Sequence, residues 1–320
     1  MAFREKDWVK QQRGWMPAKL QVQGLYNNER GPDVDATWQR AKDIALDVVR
    51  KVQKSTRLAG VMAGNWDYWS DEGLRLACEE LGIPFLVLMR EHNLTEAKPE
   101  REHYEMSNLV PKTAGVAVAS DLTANFLAGI NVLPRAKLRS TGLPRFDAWR
   151  MPFAPLYDRP VVLLSYRKGY EAAGHFDEML RIFARIADKY PDVPFVVKAK
   201  HPREAGVIQK ELNERGISLS AIDPPYIPAL FQNARAIVGF NSLAVYEALF
   251  TDAHIMLPQW GTTRIDPGIQ APCPTDPVVT KHMDFFDGPE AFAEALDRTI
   301  RVGPPAVDRR ARLAAFAQYV

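Results

Sequence analysis

Phe195-Val-Val-Lys-Ala-Lys-His-Pro202 and Ala236-Ile-Val-Gly-Phe-Asn-Ser-Leu-Ala-Val-Tyr-Glu-Ala-Leu249 are the two stretches that decide the fold of this chain. Each opens with an apolar run of the length and composition of a buried strand. Pro202 ends the first run, because proline cannot extend a hydrogen-bonded ladder. The second run passes through Gly239 and an Asn-Ser pair suited to helix capping into a helical pattern. Strands that alternate with helices in this way predict a parallel α/β sheet.

Polar and cationic side chains follow both of these strands. Lys198, Lys200 and His201 collect at the end of the first, and Ser242 stands where a helix start exposes unpaired backbone N–H groups. In an open parallel sheet, ligands bind outside the carboxyl ends of the strands, and a helix start there attracts anions. Each charge-assisted hydrogen bond contributes roughly 1.5–3 kcal/mol, against about 0.3–1 kcal/mol for the helix dipole. We therefore expect these side chains to bind a phosphate group.

His201-Pro202, followed by Asn241-Ser242 and then Glu247, resembles the paired HP and S…E motifs of bacterial surface-polysaccharide glycosyltransferases. That group includes the capsular 3-deoxy-manno-octulosonic acid transferases and sialyltransferases, and the CDP-glycerol glycerophosphotransferases are related to it. The resemblance implies the GT-B fold, an α/β architecture of two Rossmann-like domains that face each other across a cleft. It also implies that the histidine and the serine contact the donor's phosphate and that Glu247 contacts the nucleoside.

Glu247 suits that role on chemical grounds as well, because an acidic side chain repels phosphate but accepts hydrogen bonds from ribose hydroxyls. Another cationic loop follows the strand that begins at Val161, and it adds two secondary phosphate ligands. The donor site that we expect comprises His201, Pro202, Lys200, Lys198, Asn241, Ser242, Glu247, Arg167 and Lys168.

Length and composition favour two domains. The chain has 320 residues, of which 47% are hydrophobic, which suffices for a sizeable core. Pro152, Pro155 and Pro160 mark a linker, so we expect the boundary near residue 150. Residues 1–150 should then form an N-terminal Rossmann-like acceptor domain, and residues 151–320 a C-terminal Rossmann-like nucleotide-sugar donor domain.

Charge and cysteine content restrict the partners and the compartment. A net charge of +2, from 41 basic and 39 acidic residues, gives no reason to expect a nucleic-acid partner, although a local basic patch is compatible with one. Two cysteines are too few for a disulfide framework. We find no signal-type apolar core and no apolar run of about 18 residues. We expect a cytoplasmic protein with at most peripheral contact at the inner face of the membrane.

The first half contains a strand, a loop, a helix from Leu74 and a second strand between residues 58 and 89. A βαβ unit of this kind is parallel and right-handed, so its loop lies on the ligand side of the sheet. We expect an acceptor sugar to stack on that loop. A simple helix cap around Ser70 is the alternative. In the hypothesis of a stacked sugar, the acceptor-binding residues are Trp66, Asp67 and Trp69.

The catalytic candidates lie in Arg90-Glu-His-Asn-Leu-Thr-Glu96, which directly follows the second of these strands. It is similar to the Gln-His-x-x-Glu segment of some capsular transferases, but it has a different preceding residue and one extra spacer. The resemblance implies His92 as general base, and Glu91 or Glu96 as acid, base or nucleophile. A solvated loop is the alternative for Glu96.

Thr141-Gly-Leu-Pro-Arg-Phe-Asp147 resembles the closing stretch of the first domain in GT-B transferases and in the related nonhydrolysing sugar-nucleotide epimerases. Arg145 within it suits either a phosphate contact or a salt bridge to Asp147. Further along, we expect a short strand at residues 217–220 and irregular structure at residues 265–288.

Several well-known constellations are missing from the sequence, namely Gly-x-Gly-x-x-Gly, the Walker loop, Gly-x-Ser-x-Gly, His-Glu-x-x-His and a paired Asp-x-Asp. We therefore expect no cofactor and no metal. The leading hypothesis is a glycosyltransferase that moves a sugar from a CMP- or UDP-linked donor to a saccharide or lipid-linked acceptor. The alternatives are a UDP-sugar 2-epimerase, a CDP-glycerol glycerophosphotransferase and a non-catalytic nucleotide-sugar-binding protein.

Overall fold

The computed structural model describes residues 10, 12–20, 31–64, 69–89, 115–129, 133–165, 175–224, 226–239, 242–260 and 277–319. Its contacts divide the chain into two compact units. The described residues up to Leu143 belong to the first unit, and Pro144–Gln318 to the second. Each unit contains a parallel sheet with helices between its strands, as the sequence predicts.

The first unit is built on a sheet in which the described strands follow one another in chain order, all parallel. Its core lies where alternate strand residues such as Val87 and Val116 meet Leu127 of a helix. The strands are β1 (Val61–Ala63), β2 (Phe85–Leu88), β3 (Gly115–Val118) and β4 (Leu138–Ser140). The helices are α1 (Pro32–Ser55), α2 (Trp69–Glu80) and α3 (Asp121–Gly129).

The start of α2 corrects the sequence prediction. The helix begins at Trp69 and not at Leu74, so Ser70 is its second residue and is not its cap. Gly73 therefore lies inside the helix, where α2 crosses α1 at Ala41. A Cβ atom added to Gly73 would lie 2.7 Å from the carbonyl carbon and oxygen of Ala41. The missing side chain of Gly73 is what allows the two helices to approach this closely.

The second unit contains a parallel sheet in the order β10-β9-β8-β5-β6-β7. Its central strands are buried on both faces, which explains why they appear in the sequence as continuous apolar runs. The strands are β5 (Val161–Leu164), β6 (Phe195–Lys198), β7 (Ser220–Ile222), β8 (Ala236–Val238), β9 (His254–Pro258) and β10 (Asp284–Phe286).

Helices pack on this sheet, and two of them contribute many of the apolar side chains in its core. Met179 and Phe183 come from one helix, and Phe292 and Leu296 from another. The helices are α4 (His175–Ala187), α5 (Pro202–Glu214), α6 (Ile227–Phe231), α7 (Leu243–Glu247), α8 (Pro277–Thr280), α9 (Pro289–Val302) and α10 (Arg309–Tyr319).

Two short strands differ from the sequence prediction. The N–H of Ile217 still donates to the carbonyl of Leu212 at the end of α5, at 2.9 Å, and Gly216 has a φ of 66°. The chain is therefore still closing the helix at residue 217, and β7 starts only at Ser220. The expected irregular region was also wrong in part, because α8 and β10 lie in it. Three residues are too few to show a period, so β10 left no signal in the sequence.

His254, the first residue of β9, forms hydrogen bonds to α9 and to β10. Its Nδ1 atom lies 2.7 Å from Oγ1 of Thr299 in α9, and its Nε2 atom lies 2.7 Å from Oδ2 of Asp284 in β10. The imidazole is almost fully buried. Burial lowers the pKa of His254, and the nearby Arg312 and Arg298 lower it further, while Asp284 opposes the shift.

This lowered pKa predicts a loss of stability in mildly acidic solution. An unfolded imidazole takes up its proton near pH 6.5, whereas the folded His254 does so at a lower pH. The unfolded state therefore binds more protons as the pH falls below about 6.5, and the free energy of unfolding decreases through that window. We expect the thermal midpoint to fall between pH 7.5 and pH 5.5, and to fall less steeply in the His254→Gln variant. A midpoint that rises in the wild type over this range would show instead that Asp284 keeps the imidazole charged.

Candidate ligand-binding site

The order of the second sheet reverses between β5 and β8. From β5 the chain proceeds through β6 and β7 on one side, and it then crosses to β8, β9 and β10 on the other. The carboxyl ends of β5 and β8 therefore border the crevice in which open α/β sheets bind their ligands. Ser165 follows β5 and Ser242 follows β8, while His201 follows the adjacent strand β6. The topology thus brings the polar ends of these strands to one edge of one sheet.

His201 caps α5 with its imidazole. Its backbone is extended, and its Nδ1 atom accepts a hydrogen bond of 3.0 Å from the N–H of Glu204. Pro202 follows as the first helical residue, where a missing N–H costs nothing. A neutral imidazole that accepts through Nδ1 must carry its proton on Nε2. The exposed His201 therefore presents an N–H donor while it caps the helix.

Glu204 belongs to the candidate site by its contacts, and sequence reasoning missed it. Its Oε1 atom accepts a hydrogen bond of 2.6 Å from the Ser165 hydroxyl, and its Oε2 atom accepts one from the backbone N–H of Lys200. The carboxylate therefore joins the end of β5 to the end of β6. A signal was present, because an acidic residue three positions after a cap is the capping-box spacing. Histidine in place of the usual serine or threonine concealed it.

The two lysines of this segment differ in their surroundings. Lys198, the last residue of β6, is partly buried, and its Nζ atom donates to the carbonyl of Ala199 at 2.8 Å. Burial lowers the pKa of Lys198, although the nearby carboxylates of Asp223 and Glu247 act in the opposite direction. Lys200 has an exposed side chain. The inner lysine thus places a positive charge among carboxylates, and the outer one faces solvent.

Ser242 is the N-cap of α7, as its position in the sequence predicts. Its Oγ atom accepts a hydrogen bond of 3.2 Å from the N–H of Ala244, which leaves its own proton available for donation. The helix is short, however, because α7 passes into a 3-10 helix at Ala248–Phe250. The dipole of this helix therefore contributes less to anion binding than the dipole of a longer helix would. The Ser242 hydroxyl is the more important group.

Glu247 is the most deeply buried of the described donor-site candidates, with a side chain that is 4% exposed. Its Oε1 atom lies 2.6 Å from Nη2 of Arg145, and its Oε2 atom accepts a hydrogen bond of 3.3 Å from the indole of Trp149. Arg145 thus forms its ion pair with Glu247, whereas the sequence had offered Asp147 or a phosphate as its partner. Burial raises the pKa of Glu247, and Arg145, Trp149 and Lys198 oppose that shift.

An aromatic cluster supports Trp149 from behind. Its ring is stacked on Phe250 at a centroid distance of 4.9 Å and an angle of 10°. Phe316 of α10 packs edge-on against Phe250 at 4.4 Å. Arg312 anchors the same helix, because its buried guanidinium donates to backbone carbonyls at Thr251 and Ala253. The helix α10 therefore packs on Phe250, and Phe250 supports the indole of Trp149 that donates to Glu247.

Several predicted residues are outside the part of the chain that the structure describes, and their roles stay predictions. Among the described residues, no group of histidine, cysteine or acidic side chains could hold a metal ion. No helix in the same ranges is long and apolar enough to cross a membrane. Trp69 is described only as the first residue of α2. The candidates outside the described ranges are His92, Glu91, Glu96, Trp66, Asp67, Asn241, Arg167 and Lys168.

Comparison with known proteins establishes the fold. No protein-family model matches this sequence, and no curated protein sequence matches it. Among solved structures, MnaA from S. aureus in its complex with UDP has a TM-score of 0.54 and 12% identity, over 99% of this chain and 80% of that one. UDP-GlcNAc 2-epimerase from Methanocaldococcus jannaschii, in complex with UDP-GlcNAc and UDP, has a TM-score of 0.51 and 13% identity, over 88% and 77%. These likenesses confirm the predicted fold class, an α/β protein of the GT-B type with two Rossmann-like domains.

Proposed function

We propose that this protein is a glycosyltransferase that takes a sugar from a CMP- or UDP-linked donor and passes it to a saccharide or lipid-linked acceptor. The observation that carries the proposal is the set of groups at the switch point of the second sheet. An imidazole N–H from His201, a hydroxyl from Ser242 and a buried carboxylate from Glu247 follow strands of that one sheet edge. Donors that suit a phosphate and an acceptor that suits a ribose are the two requirements of a nucleotide.

In the proposed reaction, the nucleotide leaves with negative charge on its phosphate. His201 and Ser242 donate hydrogen bonds to that phosphate, and Lys198 and Lys200 add positive charge, so the leaving group is stabilised as it forms. The first domain binds the acceptor in this proposal, and His92, with Glu91 or Glu96, activates the acceptor hydroxyl. The second domain, from about residue 150 in the sequence prediction, binds the donor.

A UDP-sugar 2-epimerase is the second candidate, and one observation favours it. Both solved structures described above contain UDP, and one of them is a UDP-GlcNAc 2-epimerase. An epimerase uses carboxylates to move a proton at a sugar carbon and needs no acceptor, whereas a transferase needs one. A glycerophosphotransferase that uses CDP-glycerol is a third version of the same donor site. A protein that binds nucleotide sugars without turnover is the non-catalytic version.

A thermal-shift screen of the wild type against CMP, CDP, UDP, GDP and their sugar conjugates tests the donor site. A ligand at 100 times its dissociation constant stabilises a protein by about 2.7 kcal/mol, which shifts a thermal midpoint by several degrees. We expect one nucleotide family to shift the wild type, and the Glu247→Ala variant to shift less. If a folded wild type responds to none of them, the assignment of a nucleotide to this edge is wrong.

Turnover then separates the enzyme classes. The nucleotide sugar that shifts the protein is incubated alone, and the products are followed by NMR. Formation of the 2-epimer without any acceptor would identify an epimerase and would contradict the transferase proposal. We expect instead that the donor stays unchanged until a saccharide or lipid-linked acceptor is added, and that nucleotide is then released. Binding without turnover under every condition would favour the non-catalytic alternative.

A further inference from the structure

The carboxylate of Glu247 has an inner partner and an outer partner that are held very differently. Trp149, the inner partner, is fixed by its stack on Phe250, and Phe316 packs behind that ring. Arg145, the outer partner, has a side chain that is 35% exposed. Its guanidinium carbon also lies 5.7 Å from the ring centroid of Phe146. Of these two partners Arg145 is the more exposed, so it is the one that a group from solvent can displace.

The carboxylate cannot lose this outer partner without a replacement. A buried charge that is left unpaired is strongly unfavourable, so any group that displaces Arg145 must itself donate hydrogen bonds. Hydroxyl groups meet this requirement, and a ribose offers two of them side by side. The partly exposed Arg145 side chain loses less on leaving, because water and other anions can replace its contact. The exchange is thus open to a polyhydroxyl ligand and closed to an apolar one.

We propose that Arg145 is a displaceable cover over Glu247. Ribose hydroxyls replace Arg145 on the carboxylate, and the released guanidinium then binds the phosphate of the same ligand. This inference rests on the proposed nucleotide site and adds a step to it. The cover makes the two ends of the ligand interdependent. A nucleoside has to displace Arg145 but has no phosphate for the released guanidinium to bind. A nucleotide supplies that anion. Arg145 therefore acts as a specificity residue that selects phosphorylated ribosides.

The test compares nucleotides with their nucleosides by isothermal titration at pH 8, with UMP against uridine and CMP against cytidine. In Arg145→Ala we expect nucleotide affinity to fall at least about tenfold, which corresponds to about 1.4 kcal/mol. Nucleoside affinity should stay constant or rise, because the competing guanidinium is gone. Arg145→Gln should show the same loss of nucleotide affinity. This variant is the substitute if Arg145→Ala fails to fold, because its amide can still donate a hydrogen bond to Glu247.

Arg150 provides the matched control, because it is an exposed arginine in the same 3-10 helix, Pro144–Arg150. Arg150→Ala removes the same charge and should leave both affinities unchanged. If Arg145 only supports Glu247 structurally, nucleotide and nucleoside affinities will fall together in its variants, and that result would overturn the proposal. A wild type that binds neither UMP nor CMP would overturn the nucleotide site itself, so the two failures are distinguishable.

Discussion

Replacement of Gly73 by alanine is expected to lower the free energy of unfolding of the first unit by about 1–3 kcal/mol, which is the usual cost of overpacking. The new methyl group would lie 2.7 Å from the carbonyl carbon and oxygen of Ala41 and 2.8 Å from its Cβ atom. These are atoms of a helix backbone and of its shortest side chain, so no rotamer change can relieve the contact. The helices α1 and α2 must separate, although alanine is intrinsically favoured over glycine in a helix by about 1 kcal/mol.

Gly206→Ala is the matched control for this prediction. Gly206 also lies inside a helix, α5, but it is exposed, and a Cβ atom there would meet nothing within 4 Å. The same substitution should therefore stabilise the second unit by about 0.4–1 kcal/mol. Urea denaturation measures both effects, with each transition fitted separately if the two units unfold independently. A Gly73→Ala protein as stable as Gly206→Ala would show that the α1 and α2 contact adapts at little cost.

The strands and long helices of the second unit could be predicted because each depends on a local pattern. A run such as Val161–Leu164 is fully buried in a parallel sheet, so it is apolar at every position and is bounded by a break. Ser242 caps the helix at whose start the sequence had placed it, because a cap and its helix lie within one short segment.

The contacts that the sequence did not reveal are those between distant residues. Arg145 and Glu247 are 102 positions apart, and no local pattern links them. The support of Trp149 by Phe250 and Phe316 likewise depends on where α10 packs. Gly73 is a different case, because glycine favours a turn from local propensity, and only the position of α1 explains it as a packing residue. The burial and the partners of a site residue thus depend on tertiary structure, even where local sequence predicts the strand or helix that carries the residue.

Removal of the His201 imidazole is expected to weaken nucleotide binding roughly ten- to a hundredfold, since a hydrogen bond to a charged group contributes about 1.5–3 kcal/mol. The residue has a second role, however, because its Nδ1 atom caps α5. His201→Ala removes both the cap and the Nε2–H donor. It should lose affinity and, in addition, about 0.5–2 kcal/mol of stability, the usual cost of losing a cap.

His201→Asn separates the two roles. Asparagine is among the best N-cap residues, and its side-chain oxygen can accept the hydrogen bond from Glu204 in place of Nδ1. Its side chain is shorter than the imidazole and places no donor at the position of Nε2. Denaturation should therefore find wild-type stability in this variant, while calorimetry with the nucleotide that shifts the wild type finds the same loss of affinity as in His201→Ala. Wild-type affinity in His201→Asn would mean that this histidine serves the helix alone, and the phosphate would then have to bind to Ser242, the lysines and Arg145.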